Sequence, residues 1–440
     1  MDIKVLKFGG SSLADAAQYK KVAEIIRADP ARRYVVASAP GKRFPEDTKI
    51  TDMLYRCFEL AAQKQNIDEA FGEVEARYDA IIRDLGLDFS LEEEYRKIRM
   101  AIEHHAGEDY VASRGEYLGA MILAKYLDFP FIDAESGIFF RKDGTFDDRA
   151  TYKALGALLS GKAYAVVPGF YGSMPNGTIK TFSRGGSDIT GAIVARAAEA
   201  ALYENWTDVS GMLMADPRLI ENPRVISEIT YRELRELAYM GATVMHEEAI
   251  FPVREACIPI NIRNTNAPAD PGTMILSRTD RMPMDTIITG VAGRKGFSSI
   301  TIEKDRMNTE VGFGRKVLGV LEDFHISFEH APTGIDTMSV VVHTEALRDC
   351  KEALIGRIFH DANADSVTID DNIALIAIVG RGMVRAKGTA GRVLTAIAEQ
   401  DVNIRMIDQG SGENNIIVGV SEDDYDTALR AIYHAFVREA

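Results

Sequence analysis

Two glycine-rich turns carry residues suited to handling phosphate and carboxylate groups. The first is Lys7-Phe8-Gly9-Gly10-Ser11-Ser12, which closes a short apolar run and opens a helical period. Glycines let backbone approach a ligand closely, and a helix start offers unpaired N–H groups with a favourable dipole. A lysine at the end of the strand is placed to neutralise a phosphoryl group in transfer. Ser12-Leu13-Ala14-Asp15 reads as a capping box and predicts a helix beginning at Ser12. The second turn, Ser183-Arg184-Gly185-Gly186-Ser187-Asp188, precedes the helical run Ile189, Ile193, Val194, Ala197 and predicts a serine N-cap there as well. Its arginine is able to clamp a carboxylate with two parallel hydrogen bonds. Neither a Walker A motif nor G-x-G-x-x-G occurs in the chain.

The elements that must position these turns alternate in type. Up to about Gly290, β-branched runs such as Tyr34-Val35-Val36-Ala37, Ala163-Tyr164-Ala165-Val166-Val167 and Pro259-Ile260-Asn261-Ile262 are separated by helical periods. Tyr19, Val22, Ala23 and Ile26 share one helix face. The pattern predicts an α/β layer fold with a mainly parallel sheet sandwiched by helices over 1–290. A long, charged, helical stretch at about 52–110 reads as an inserted hairpin or lid. Beyond Gly290 an internal repeat begins. Val317-Leu318-x-x-Leu321 with Ile326 recurs as Val393-Leu394-x-x-Ile397 with Val402, and Val340-Val341-Val342 recurs as Ile416-Ile417-Val418, all at one offset. Each unit has the strand and helix order of a ferredoxin-like βαββαβ module, giving modules at 295–370 and 371–440.

The 440 residues exceed one ordinary core, and 46% apolar with 27% charged residues fits a packed protein. A formal net charge of −15 argues against nucleic acid or an anionic membrane as partner. No apolar run is long enough to span a bilayer, and the start Met1-Asp2-Ile3-Lys4-Val5 has no signal-peptide pattern, so a cytoplasmic protein is expected. Cys57, Cys257 and Cys350 are too widely spaced for a metal or disulfide framework, and His104-His105 reads as a solvated face, so no metal-binding residue is assigned.

The set Lys7-Phe8-Gly9-Gly10-Ser11-Ser12, Ser113-Arg114-Gly115-Glu116, Arg184-Gly185-Gly186-Ser187-Asp188, Thr207-Asp208-Val209-Ser210-Gly211 and Asp216-Pro217-Arg218 resembles the ordered motifs of aspartate kinases, members of the amino-acid kinase superfamily. The two C-terminal repeats resemble that family's ACT domains. The resemblance implies ATP and Mg²⁺ as cofactors and L-aspartate as substrate, phosphorylated on its side chain at the head of lysine, threonine and methionine synthesis. It implies that Lys7 stabilises the moving phosphoryl while Asp188 orients Lys7. Gly9, Gly10 and Ser11 would supply N–H donors to the nucleotide. Arg184 would clamp a substrate carboxylate, Glu116 would pair with the α-ammonium, and Thr51, Ser38 and Ser187 would line the same pocket. Thr207, Asp208, Asp216 and Arg218 match the nucleotide segment, with Leu213 where many relatives carry a tyrosine near the adenine. Asn266 stands where some carry a lysine. An amino-acid effector, lysine ahead of threonine, would bind at Met307, Gly312, Gly314, Ser327, Phe328 and Glu329, and the ACT modules would build a homodimer or tetramer. Two other readings stand beside this one: a kinase of the same superfold acting on another acid such as glutamate or acetylglutamate, and a non-catalytic amino-acid sensor.

Overall fold

The computed structural model describes residues 2–183, 185–242, 245, 247–277, 287–410 and 414–437; of Glu247 and Glu248 only the backbone is described. The chain forms two compact units. One comprises Met1–Met212, Val225–Tyr231 and Val244–Thr279, the other Leu213–Arg224, Arg232–Thr243 and Asp280–Ala440.

The first unit runs β1 (Lys4–Phe8), α1 (Ala16–Arg27), β2 (Arg32–Ala37), α2 (Ile50–Ala62), α3 (Asp68–Asp84), α4 (Glu92–Glu103), α5 (Glu108–Leu127), α6 (Asp148–Leu159), β3 (Ala165–Pro168), β4 (Tyr171–Ser173), β5 (Ile179–Thr181), α7 (Gly186–Ala197), β6 (Leu202–Thr207) and β7 (Glu228–Thr230). There α8 (Tyr231–Tyr239) begins, passing into the second unit, and α9 (Glu247–Glu255), β8 (Ile260–Asn264) and β9 (Thr273–Leu276) complete the first. Seven strands make one sheet in the order β3-β2-β1-β6-β8-β9-β7. Its pairings are parallel except β8 with β9. The strands at its centre are buried on both faces, as continuous apolar runs require.

Both helix starts differ from the sequence expectation. Residues Gly10–Leu13 make a 3₁₀ turn, and α1 is capped by Asp15, whose carboxylate accepts from the Gln18 N–H. Ser12 is instead buried, its hydroxyl 2.8 Å from that of Thr265. Helix α7 is capped by Gly185 in the left-handed region, φ 71°, with no side-chain cap. That conformation favours glycine, which is why a serine does not hold the position.

The stretch expected to be a hairpin or lid is three helices sealed into the core. Ile50 and Leu54 of α2, Phe71 and Tyr78 of α3 and Tyr95 and Ile98 of α4 pack with Leu118 and Ile122 of α5. Buried Arg77 of α3 donates to Asp47 at 2.9 Å, to the Gly41 carbonyl at 2.7 Å and to the Ala14 carbonyl at 3.3 Å. The insert thus grips the two loops that follow β1 and β2.

The second unit contains β10 (Gly290–Glu303), α10 (Phe313–Asp323), β11 (Thr337–His343), α11 (Lys351–Asp361), β12 (Ser366–Val379), α12 (Thr389–Ala398), β13 (Ile404–Asp408), β14 (Asn415–Ser421) and α13 (Tyr425–Phe436). Its five-stranded antiparallel sheet has the order β11-β10-β12-β14-β13. The repeat is visible in the caps: α10 and α12 both start at a left-handed glycine, Gly312 at φ 87° and Gly388 at φ 84°. Strand β10 serves both halves. Gly290–Arg294 pair with Leu375–Val379, while Phe297–Glu303 pair with β11 and with the first part of β12. The expected module edges at 295 and 371 fall inside these two continuous strands.

Candidate active site

In parallel α/β sheets the carboxyl ends of the strands are where ligands bind. Lys7, next to last in β1, is buried at 8% exposure. Strand register sets it beside Asn205 of β6 and Val36 of β2. Its Nζ lies 2.6 Å from Asp188 Oδ1 in the first turn of α7. Asn205 Nδ2 donates to the same oxygen at 2.8 Å, and the Tyr203 hydroxyl donates to the Asp188 carbonyl at 3.2 Å. Lys7 and Asp188 are therefore brought together as expected. Asn205 was not anticipated; the only signal was a polar residue amid the buried run Tyr203-Glu204-Asn205-Trp206.

The glycine turn differs in one respect from its expected role. The Gly9 N–H donates to the Trp206 carbonyl at 3.0 Å, so Gly9 has no donor left for a phosphate. The N–H groups of Gly10 and Ser11 have no hydrogen-bond partner among the described residues, which leaves them as the turn's donors. The Gly10 carbonyl accepts from the Gly41 N–H at 2.8 Å, and a Cβ on Gly10 would stand 2.9 Å from the Ala39 carbonyl oxygen. Backbone therefore touches backbone where the loops after β1 and β2 meet. Ser38, buried at the end of β2, donates its N–H to the Phe8 carbonyl at 3.2 Å.

Glu116 lies in the middle of α5, buried, with no hydrogen-bond partner for Oε2 among the described residues. Burial pushes its carboxyl up to about 8, and the Ala39 N–H offsets this only in part. Its sequence neighbour Arg114 is not its partner: that guanidinium lies against the rings of Tyr110, Tyr117 and Tyr171 and donates to the Ser113 hydroxyl. Thr51 sits half-buried in the first turn of α2, beside Ile50, whose N–H donates to the Pro40 carbonyl at 3.3 Å. The 38–41 loop is thus shared by Ser38, Glu116, the start of α2 and the glycine turn.

The segment after β3 closes on α7. A Cβ on Gly169 would meet Ser187 Oγ at 2.7 Å, and one on Gly186 would meet the Phe170 ring at 2.4 Å. Phe170 adopts φ 81°, a region that bulky residues rarely occupy outside functional sites, and its N–H donates to Thr190 Oγ1 at 3.0 Å. Nothing in the sequence pattern marked Phe170. Arg184 lies outside the described residues.

Thr207 ends β6, its carbonyl accepting from the Thr265 N–H at 2.9 Å and its hydroxyl donating to exposed Asp208 at 3.2 Å. Leu213, Asp216 and Arg218 belong to the second unit. There Arg218 donates to both Asp216 oxygens at 2.6 and 3.0 Å, and this pairing holds the Asp216 carboxyl below its usual range. Also in that unit, Met307 packs inside the cluster formed by α10, α11 and the sheet, and Gly312 and Gly314 face open space. Ser327 and Phe328 are exposed. Glu329 has partners within the same unit. Its side chain is 5% exposed, accepts from the Tyr239 hydroxyl and faces His343 Nε2 at 3.4 Å. Among the described residues no group of three His, Cys, Asp or Glu could hold a metal, and no helix is long and apolar enough to cross a membrane.

Residues 2–264 match the model of the amino acid kinase family, and 376–436 match an ACT domain. Aspartokinase 3 of Bacillus subtilis is 40% identical over 99% of this chain and 98% of its own length. The crystal structure of the Clostridium acetobutylicum aspartate kinase superposes with a TM-score of 0.89 at 51% identity, covering 99% of this chain and all of that one. Escherichia coli aspartokinase III, solved with aspartate and ADP, shares the fold with a TM-score of 0.71 at 24% identity over 99% of each chain. Motif order, the lysine–aspartate pair at the strand ends and the paired C-terminal modules agree with these likenesses, and the chain belongs to the aspartokinase family.

Proposed function

We propose that this chain transfers the γ-phosphoryl group of ATP to the side-chain carboxylate of L-aspartate, giving ADP and 4-phospho-L-aspartate, the entry to lysine, threonine and methionine synthesis. The observation that carries this reading is buried Glu116, a carboxyl with one oxygen unpartnered among the described residues and able to give up its proton to pair with an ammonium, beside the loop that contacts the glycine turn. The nucleophile is a carboxylate already ionised at neutral pH, so no general base is required. An aspartate oxygen forms the new bond to phosphorus as the bond to the ADP oxygen breaks, and no proton moves.

The protein's task is to hold two anions in line and offset their repulsion. Lys7 meets the charge on the moving phosphoryl, held in place by Asp188. Gly10 and Ser11 point N–H groups at the phosphates. Glu116 takes the α-ammonium, Ser38, Thr51 and Ser187 line the pocket, and Arg184 clamps a carboxylate. Thr207 and Asp208 face the nucleoside. Mg²⁺ brought by the nucleotide would add charge neutralisation at the phosphates, with no protein ligand set required for it. We read the second unit as the regulatory part, binding an amino-acid effector and joining copies into a dimer or tetramer. We also read its modules as exchanging strands, each of β10 and β12 contributing to both. We read the protein as cytoplasmic, a compartment that holds both ATP and free aspartate.

The test is ADP release with aspartate, glutamate, acetylglutamate or no acceptor, in wild type and Lys7→Ala. Aspartate should be preferred, and Lys7→Ala should lose about 10²-fold or more in kcat. Preference for another acid would move the chain to a different substrate, and no turnover with any acid would favour a sensor.

A further inference from the structure

We propose that Asn205 is a positioning residue of the phosphoryl-transfer site, holding Asp188 in place while Lys7 turns to the phosphate; this rests on the role given above to Lys7. A core strand buried on both faces is ordinarily filled with apolar residues. Asn205 occupies such a strand at 4% exposure, and an apolar side chain would fill its place without the cost of burying an amide. Among the described residues the amide has one charged partner. Asp188 Oδ1 accepts from Asn205 Nδ2 at 2.8 Å and from Lys7 Nζ at 2.6 Å. A carboxylate only accepts, so the atom facing it is the NH₂. Among the described residues the remaining polar contact of Nδ2 is the sulfur of Met245, at 3.7 Å.

The geometry follows from sheet register. Lys7 and Asn205 are Cα partners on adjacent parallel strands, so their side chains leave the same face and converge on one oxygen at the start of α7. This explains why a second donor is needed. When a phosphoryl group arrives, the Lys7 ammonium must share its protons between that group and Asp188. With lysine alone holding it, the carboxylate would be free to rotate or follow the ammonium. A neutral amide keeps the carboxylate fixed and does not compete for the phosphate's negative charge. Its effect belongs to the transition state more than to substrate binding, so it should act on kcat.

The experiment compares Asn205→Leu, Asn205→Asp and Lys7→Ala, each checked for folding by circular dichroism and thermal unfolding. Asn205→Leu should lower kcat about 10- to 100-fold, the usual worth of a hydrogen bond to a charged group. The KM values for aspartate and ATP should each stay within about 3-fold. Asn205→Asp sets a second carboxyl against Asp188; the charged groups facing it among the described residues are Lys7 of β1 and Asp188 of α7. Two such carboxyls share a proton, and the protonated one is able to donate as the amide did. The kcat of Asn205→Asp relative to wild type should therefore rise as pH falls from about 8 to about 6. A folded Asn205→Leu enzyme with kcat within about 3-fold of wild type overturns the proposal. So does an Asn205→Asp ratio that is flat with pH, which alone decides if Asn205→Leu does not fold. If Lys7→Ala keeps wild-type turnover, the role of Lys7 fails first; if Lys7→Ala is inactive and Asn205→Leu normal, only the present inference fails.

Discussion

The Glu116 carboxyl in α5, with one oxygen lacking a donor among the described residues, keeps its proton up to about pH 8 because burial disfavours its charged form. Pairing with an ammonium requires the carboxylate. The KM for aspartate should therefore fall as pH rises through about 8, and Glu116→Gln should raise KM and remove that slope. The stability effect has the opposite sense. The folded-state value lies above the ordinary 4.5, so between about 4.5 and 8 the folded state binds more protons and loses stability as pH rises. Glu116→Gln should accordingly melt higher than wild type at pH 9, with the gain shrinking toward pH 5. Equal melting temperatures at both pH values would show that the carboxyl is not held as described. Glu116 was legible through its motif, but its setting was not: it lies mid-helix, with the neighbouring Arg114 caged by tyrosines. Asn205 and Phe170 were hidden for a related reason. They stand out through strand register and through a backbone angle, neither of which follows from residue spacing.

Between elements, the close contact of two loops sets the glycine turn. A Cβ on Gly41 would lie 2.6 Å from the Gly10 carbonyl carbon and 2.9 Å from the Ser11 nitrogen, all backbone atoms with little freedom to yield. Gly41→Ala should force the loops apart, costing about 1–3 kcal/mol of stability as overpacking does. Because Ser11 carries one of the proposed phosphate donors, the KM for ATP should rise more than that for aspartate. A Gly41→Ala enzyme with wild-type stability and unchanged KM values would show that this contact does not shape the turn. Arg77 of the helical insert donates to the Gly41 carbonyl, which gives the insert a task in positioning the site. The charged outer faces of these helices suggested a lid; their buried faces, Leu54, Phe71 and Ile98, decide otherwise. The βαββαβ repeat was legible because its apolar runs recur at one offset. That one strand feeds both modules was not, since Gly293-Arg294-Lys295-Gly296 interrupts the β pattern at 290–303 and reads as a break, whereas the strand runs on through a register shift there.

At the scale of the whole molecule the open question is control. The second unit exposes Phe328 at 47% and Ile335 at 68%, apolar surface of a kind that association or a ligand would cover. Beside Phe328, Glu329 is occupied by Tyr239, whose phenol is pushed up to about 12 by burial first and by Glu329 second, so it is a neutral donor at physiological pH. A bound lysine would bring an ammonium, a full opposite charge that the neutral phenol does not offer the carboxylate. Lysine should therefore displace the phenol at Glu329 and inhibit turnover, with threonine, lacking a second ammonium, the weaker effector. The competition gives a signed prediction. Tyr239→Phe removes the competing donor and should lower the lysine concentration for half-inhibition, whereas Glu329→Ala removes the acceptor and should raise it by about tenfold or more, the worth of one charged hydrogen bond. Both variants should keep wild-type turnover without lysine if the contact acts only through effector binding. Activity measured against lysine and threonine, singly and together, decides among the outcomes. Insensitivity of the wild type to both would remove feedback from the account, and lysine inhibition unchanged in Glu329→Ala would place the effector elsewhere in the second unit.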